Sequence, residues 1–213
     1  MTEFYKRDPS LELTWPPGTH PVEQSRLWTP VELYNWQIDV LNAVALPHSR
    51  VIYSTNNESG KTSTLMKVFI LSCMARFPGC FAYVTSASER QVKEQFFEKY
   101  LFPMAQRFRS YGWTATKDPM KLSMPNGSTC LCYVCKDAKN VEGMHGDWDV
   151  KDGKPYYRPC VYGMDEAKGT KDEIHEAVRR IDPDFLLCQS TPGARGGFFY
   201  RGINPDELNR RVA

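Results

Sequence analysis

The chain has 213 residues, 41% hydrophobic and 24% charged, the balance of a globular chain with room for one well-cored domain. Lysine and arginine number 27 against 25 acids, a formal charge of +2, so any nucleic-acid contact has to be a local patch rather than a property of the whole surface. The longest apolar run, Val68 to Ala75, is too short to span a bilayer, and the start MTEFYKRDPSLELTW lacks the apolar core of a signal peptide; no membrane association and a cytosolic location are expected.

Residues 1 to 30 carry Pro9, Pro16, Pro17, Pro21 and Pro30 with little periodicity, which predicts an extended N-terminal arm that wraps or docks on a domain running from 31 to 213. Thr29 reads as an N-cap with Pro30 at the first helical position, and Leu33, Trp36, Val40 and Leu41 form a helical apolar stripe. That helix carries Gln37, whose amide has the donor and acceptor needed to read an adenine edge; a solvent-facing helix glutamine is the other reading, and both stay open.

The next stretch, VIYSTNNESGKTST from Val51 to Thr64, passes from strand formers through a polar turn into an apolar helix. A loop that ends at a helix N-terminus points backbone N–H groups and the positive end of the helix dipole at one anion. Gly60 lets the backbone come close, Lys61 reaches the β- and γ-phosphates, and the Thr62 hydroxyl is placed to coordinate magnesium. Thr55 stands where the first glycine of G-x-x-x-x-G-K-[ST] would fall, so Thr55, Asn56, Asn57, Glu58, Ser59, Gly60, Lys61 and Thr62 form a divergent loop for ATP with Mg2+.

Leu65 to Met74 is apolar almost all round, as in a helix packed on both sides, and Pro78-Gly79 ends it. A strand over Cys80 to Thr85 follows, then a capping pair Ser88/Gln91 and a helix with Val92, Phe96, Tyr100 and Met104 on one face, interrupted near Pro103. The alternation around Pro125-Asn126-Gly127 predicts a β-hairpin. Lys136 to Arg158 reads as a polar segment that includes an exposed loop. PCVYGMDE, 159 to 166, is a buried strand ending in Asp165 and Glu166, Thr170 with Glu173 is a capping box for the next helix, and a last strand over Phe185 to Gln189 leads into Ser190-Thr191-Pro192. Strands alternating with helices predict an α/β fold with a parallel-rich sheet, helices on both faces and an added β-hairpin. Seven cysteines read as reduced, buried thiols; Cys130, Cys132 and Cys135 lack a second pair at zinc spacing.

Lys61-Thr62, Asp165-Glu166 and Ser190-Thr191 thus fall at the ends of three predicted strands. Phosphoryl transfer needs this set: a phosphate cradle, an acid for magnesium, an acid for the attacking water and a polar sensor of the γ-phosphate. An acidic helix start would explain Asp165-Glu166 taken alone.

From Leu33 to Tyr200 the chain resembles the ATPase domain of the large terminase subunit, the DNA-packaging motor of tailed bacteriophages. The resemblance rests on Trp36-Gln37, STNNESGKTS as Walker A, TSASERQVKEQ, the PNGS hairpin, VEGMHGD, VYGMDEA as Walker B and STPGARGGFFY as coupling motif, in that order. It implies a RecA-like (ASCE) P-loop NTPase fold, catalysis by Lys61 and Glu166, magnesium at Thr62 and Asp165, and Ser190-Thr191 relaying hydrolysis to movement. It also implies a ring that translocates double-stranded DNA in the host cytoplasm, docked transiently on a procapsid portal protein and working with the small terminase subunit. A nuclease domain usually follows, and a chain ending at Ala213 is expected to lack it, as a truncated form or a split subunit. Neither Asn56 to Ser59 nor VEGMHG supplies an arginine finger, which leaves Arg90, Arg179, Arg180 and Arg195 as candidates. A helicase-type translocase lobe and a nucleotide-binding switch without turnover are the rival readings.

Overall fold

The computed structural model describes residues 12–141, 143–193 and 196–204. In chain order the elements are α1 (Pro21–Trp28), α2 (Asn35–Val44), β1 (Ser49–Ser54), a π-helical turn (Lys61–Met66) running into α3 (Lys67–Arg76), and β2 (Phe81–Ser86). A second π-helical stretch (Gln91–Leu101) continues as α4 (Phe102–Arg107), followed by β3 (Thr114–Lys117), β4 (Met120–Ser123) and β5 (Thr129–Val134). The remainder is β6 (Asp147–Lys151), β7 (Lys154–Arg158), β8 (Cys160–Asp165), α5 (Asp172–Ile181), β9 (Phe185–Ser190) and α6 (Gly197–Ile203).

The main sheet has seven strands in the order β1-β9-β8-β2-β5-β4-β3. The first five run parallel, and the expected hairpin of β4 and β5 extends the sheet antiparallel, with Ser123 opposite Thr129. Because β8 and β9 are buried along their whole length, alternate residues feed two cores, one on each face. Val161, Phe185 and Leu187 join α2 and α3 on one side, while Tyr162, Met164, Leu186 and Cys188 pack with Ile174, Ala177, Val178 and Phe199 from α5 and α6 on the other. The doubly covered, parallel-rich α/β sheet is therefore as expected.

Two packing details set the position of the loop after β1. Gly163 in β8 has no side chain, and a Cβ there would stand 2.5 Å from Met66 Sδ, so the π-helical turn lies directly on the strand that carries the acids. α3 is buried all round because the sheet covers one side and α1 the other, where Trp28 Nε1 donates to Ser72 Oγ at 2.9 Å.

Three local expectations are corrected and one segment gains an element. The arm read as extended through residue 30 contains α1, for Pro21 sits at the first helical position behind His20, and Glu23 reaches back to the His20 N–H at 3.2 Å. Thr29 ends α1 instead of starting the next helix, and α2 begins at Asn35 with Tyr34 as N-cap. Lys136 to Arg158, read as a polar segment that includes an exposed loop, also holds a hairpin, β6 paired with β7 as a separate two-stranded sheet. Thr170 is not a cap: α5 starts at Asp172 behind Lys171, and Thr170 Oγ1 is buried without a partner.

Candidate functional site

β1 delivers the phosphate-type loop to the C-terminal rim of the sheet. The Thr55 N–H donates to Ser190 O at 3.1 Å, prolonging the β1–β9 pairing by one residue, after which Asn56, Asn57 and Glu58 are exposed. Gly60 closes the loop at φ 83°, and a Cβ there would come within 2.9 Å of Gln37 Nε2, so both conformation and space require glycine. The helix opens as a π-turn in which the N–H groups of Thr64 and Leu65 both bond to Gly60 O, at 2.9 and 3.0 Å. The N–H groups ahead of them head the helix, where no earlier turn supplies acceptors.

Gln37 is 2% exposed, which removes the solvent-facing reading. Its Oε1 accepts from the Tyr34 N–H at 3.0 Å and its Nε2 donates to Ser59 O at 3.3 Å, so it ties the start of α2 to the loop.

The two acids leave β8 in different environments. Asp165, 4% exposed, accepts from Thr62 Oγ1 at 2.9 and 3.1 Å, from Gln189 Nε2 at 3.0 Å and from the Glu166 N–H at 3.1 Å. Burial pushes its carboxyl above the ordinary carboxylate range, against the opposing pull of the Gln189 and Thr62 hydrogen bonds. Glu166 adopts left-handed backbone, φ 51° and ψ 42°, a conformation unusual for a residue with a Cβ. Its side chain thereby meets two partners: Oε1 lies 3.4 Å from Lys61 Nζ and Oε2 accepts from Ser190 Oγ at 3.0 Å. A carboxylate braced from both sides at a strained position is the kind of arrangement found where function overrides local preference.

Lys61, Thr62, Glu166, Glu58, Gly60 and Ser63 line a cleft of about 350 Å³. The expected residues are thus brought together across β1, β9 and β8. Ser59 Oγ and Gln189 Oε1 are buried beside it without hydrogen-bond partners, as in a polar site built for a further group. Thr62 Oγ1 and the Asp165 carboxylate are hard oxygen donors of the type Mg2+ takes; among the described residues no cluster of three or more acidic, histidine or cysteine ligands occurs.

The opposite wall opens on the last residue of the TSASERQVKEQ stretch. Gln95, Lys99 and Tyr100, from the π-helical stretch after β2, face the loop. The Tyr100 ring carries two ammonium groups, Lys99 at 5.4 Å and Lys67 at 5.6 Å, and burial lowers the pKa of Lys67. Lys99 and Tyr100 lie beyond that stretch, and no motif of the sequence marks them. None of Arg90, Arg179 and Arg180 lines the cleft: Arg90 pairs with Glu94 at 3.4 Å, Arg179 with Glu176 at 3.1 Å, and Arg180 is exposed. Arg195, the fourth candidate, lies outside the described residues, as does Glu142 in VEGMHG. Thr191 meets Lys168 rather than the cleft.

The parallel order, with one strand between the loop strand and the acid strand, and the Gly-Lys-Thr turn define an α/β domain of the P-loop type. No protein-family profile and no curated protein matches the chain. Among solved structures it is similar to the large terminase ATPase domain of Thermus phage P74-26, with a TM-score of 0.58 at 15% identity, over 85% of this chain and 73% of that one. It is also similar to the large terminase of a thermophilic bacteriophage in complex with ADP, with a TM-score of 0.55 at 14% identity, over 83% of this chain and 43% of that one. The chain thus spans less than half the length of that ADP-bound terminase, and the likeness at this identity is one of fold.

Proposed function

We propose that the chain is an ATP-hydrolysing motor domain that powers translocation of double-stranded DNA into a viral procapsid. One observation carries the reading most: Lys61, Thr62, Asp165, Glu166 and Ser190 converge within hydrogen-bond or ion-pair distance at the ends of three neighbouring strands. The fold it shares with large terminase ATPase domains supports the same reading.

In this mechanism the loop N–H groups and Lys61 hold the β- and γ-phosphates. Thr62 and Asp165 hold Mg2+, which when bound neutralises charge on the phosphate oxygens. Glu166 orients the attacking water and takes up its proton, and Ser190 fixes the carboxylate while sensing the γ-phosphate through the same contact. Gln37 acts on the nucleotide through the loop backbone it holds. A pure nucleotide switch needs no braced acid at the rim, so Glu166 favours turnover. The partners that go with this reading are duplex DNA, a portal protein, a small terminase subunit and further copies of the chain in a ring.

Titration of a fluorescent ATP analogue with magnesium into wild type and Lys61→Ala tests the site. Saturable binding by wild type and its loss in the variant are expected; equal affinity and equal turnover in both would end the phosphate-loop assignment.

A further inference from the structure

Three consecutive residues, the last two of β9 and the one after it, meet Asp165 at the end of β8, Glu166 just past it and Lys168 in the turn that follows. Gln189 Nε2 donates to Asp165 Oδ1 at 3.0 Å and Ser190 Oγ to Glu166 Oε2 at 3.0 Å, and Lys168 Nζ donates to Thr191 Oγ1. The first two contacts hold the acids of the cleft; the third lies outside it. Lys168 also reaches Pro192 O at 3.4 Å, and its stem packs on Gly193, where a Cβ would stand 2.9 Å from Lys168 Cδ. Among the described residues the Lys168 ammonium is held by its bonds to Thr191 and Pro192.

Past Gly193 the chain enters α6, whose start is held from the same side of the molecule. Asp172 accepts from the Phe198 N–H at 2.6 Å and pairs with Arg201 at 2.9 Å, and the buried His175 ring stacks on Phe198 with centroids 4.7 Å apart. Lys168 and Asp172 wall a cavity of about 470 Å³ against Gly193, Phe199 and Ile203.

We propose that Lys168 is a positioning residue that clamps the Thr191-Pro192 segment and thereby keeps Ser190 on Glu166. The inference rests on the reading of Glu166 as the water-orienting acid. Ser190 is the residue next to the clamp, and its main chain also receives the Thr55 N–H, so a displacement of residues 191 to 193 has a short mechanical path to both the acid and the phosphate loop. The coupling is reciprocal: whatever shifts Glu166 during hydrolysis biases the clamp, and with it the segment 191–193.

Lys168→Met keeps the stem on Gly193 and removes the ammonium; Thr191→Val keeps the shape and removes the hydroxyl; Lys168→Arg restores a cation. In the full chain we expect a roughly ten- to hundredfold lower kcat in the Met and Val variants, the size of effect that a misplaced catalytic group produces, with nucleotide affinity within about twofold of wild type. The double variant should be no slower than the slower single, because one contact is lost in either case, and Arg should recover most of the rate. Hydrogen exchange over 197–203 should differ between ATP-analogue and ADP complexes in wild type and lose that difference in Lys168→Met. Wild-type kcat in Lys168→Met, or losses that multiply in the double variant, would overturn the clamp. A wild type that turns over ATP, with an inactive Glu166→Gln, separates that outcome from failure of the functional reading; a wild type that does not hydrolyse ATP, or an active Glu166→Gln, removes both.

Discussion

At the scale of single residues the site trades stability for chemistry. Asp165 is buried with its carboxyl pushed up by desolvation, so the folded protein disfavours the charged form that magnesium binding requires. A folded-state pKa above the unfolded one contributes stability that is complete below the unfolded value and is lost as pH rises through the folded value. Ionising this carboxyl therefore costs the nucleotide-free fold stability as pH rises. Asp165→Asn should raise the thermal midpoint of the free protein at pH 7 and narrow that gain at acid pH, while magnesium-dependent turnover disappears. The amide preserves the contacts, since its oxygen still accepts from Gln189 and its nitrogen can donate to Thr62 Oγ1. A midpoint lower than wild type in calorimetry at pH 7 would show that the carboxylate is net stabilising. Gly60→Ala acts in the opposite sense: positive φ and the nearby Gln37 amide should cost upwards of about 1 kcal/mol, read as a fall of about 2–4 °C in the midpoint for each kcal/mol, together with weaker nucleotide binding.

At the scale of elements, legibility in the sequence followed how local the cause was. The strand–loop–helix around Gly60 and the acid pair at the end of β8 were legible because their chemistry demands particular residues at fixed local spacing. The hairpin at Asn126-Gly127 was legible for the same reason. α1 was not, because Pro21 reads as a breaker in a proline-rich stretch until His20 and Glu23 are seen to cap the turn around it. Gln37 offered two readings, and the outcome depended on Tyr34, since a helix beginning at Asn35 turns its amide back to the Tyr34 N–H and onto the loop. Lys99, Tyr100 and Gln189 reach the site only through the strand order, which no local pattern reveals. The packing of α1 on α3 carries its own prediction. Trp28→Ala removes a buried ring and the bond to Ser72, and should cost about 3–5 kcal/mol, measured by denaturant unfolding. A loss below about 1 kcal/mol would mean that the segment before residue 30 is an accessory to the domain and not part of its core.

At the scale of the whole molecule the cleft beside the Gly60-Lys61-Thr62 turn is walled by Lys61 on one side and Lys99 and Tyr100 on the other, with no described arginine on its lining. P-loop enzymes commonly meet γ-phosphate charge with an arginine worth roughly a thousandfold or more in rate. The chain by itself is therefore expected to be a weak ATPase whose rate per subunit climbs with protein concentration, and further with DNA and portal, as a neighbour completes the site. Full motor speed at high dilution would place the missing cation within one subunit. The account as a whole stands on Glu166 acting on water at a nucleotide held by Lys61 and Thr62, and a paired measurement on Glu166→Gln tests it most directly. The amide is nearly isosteric, so ATP affinity should stay within about twofold of wild type while turnover falls about a hundredfold or more, the loss that removal of a general base produces. Turnover within a few-fold of wild type at unchanged affinity would contradict it, and would assign the water to a different residue.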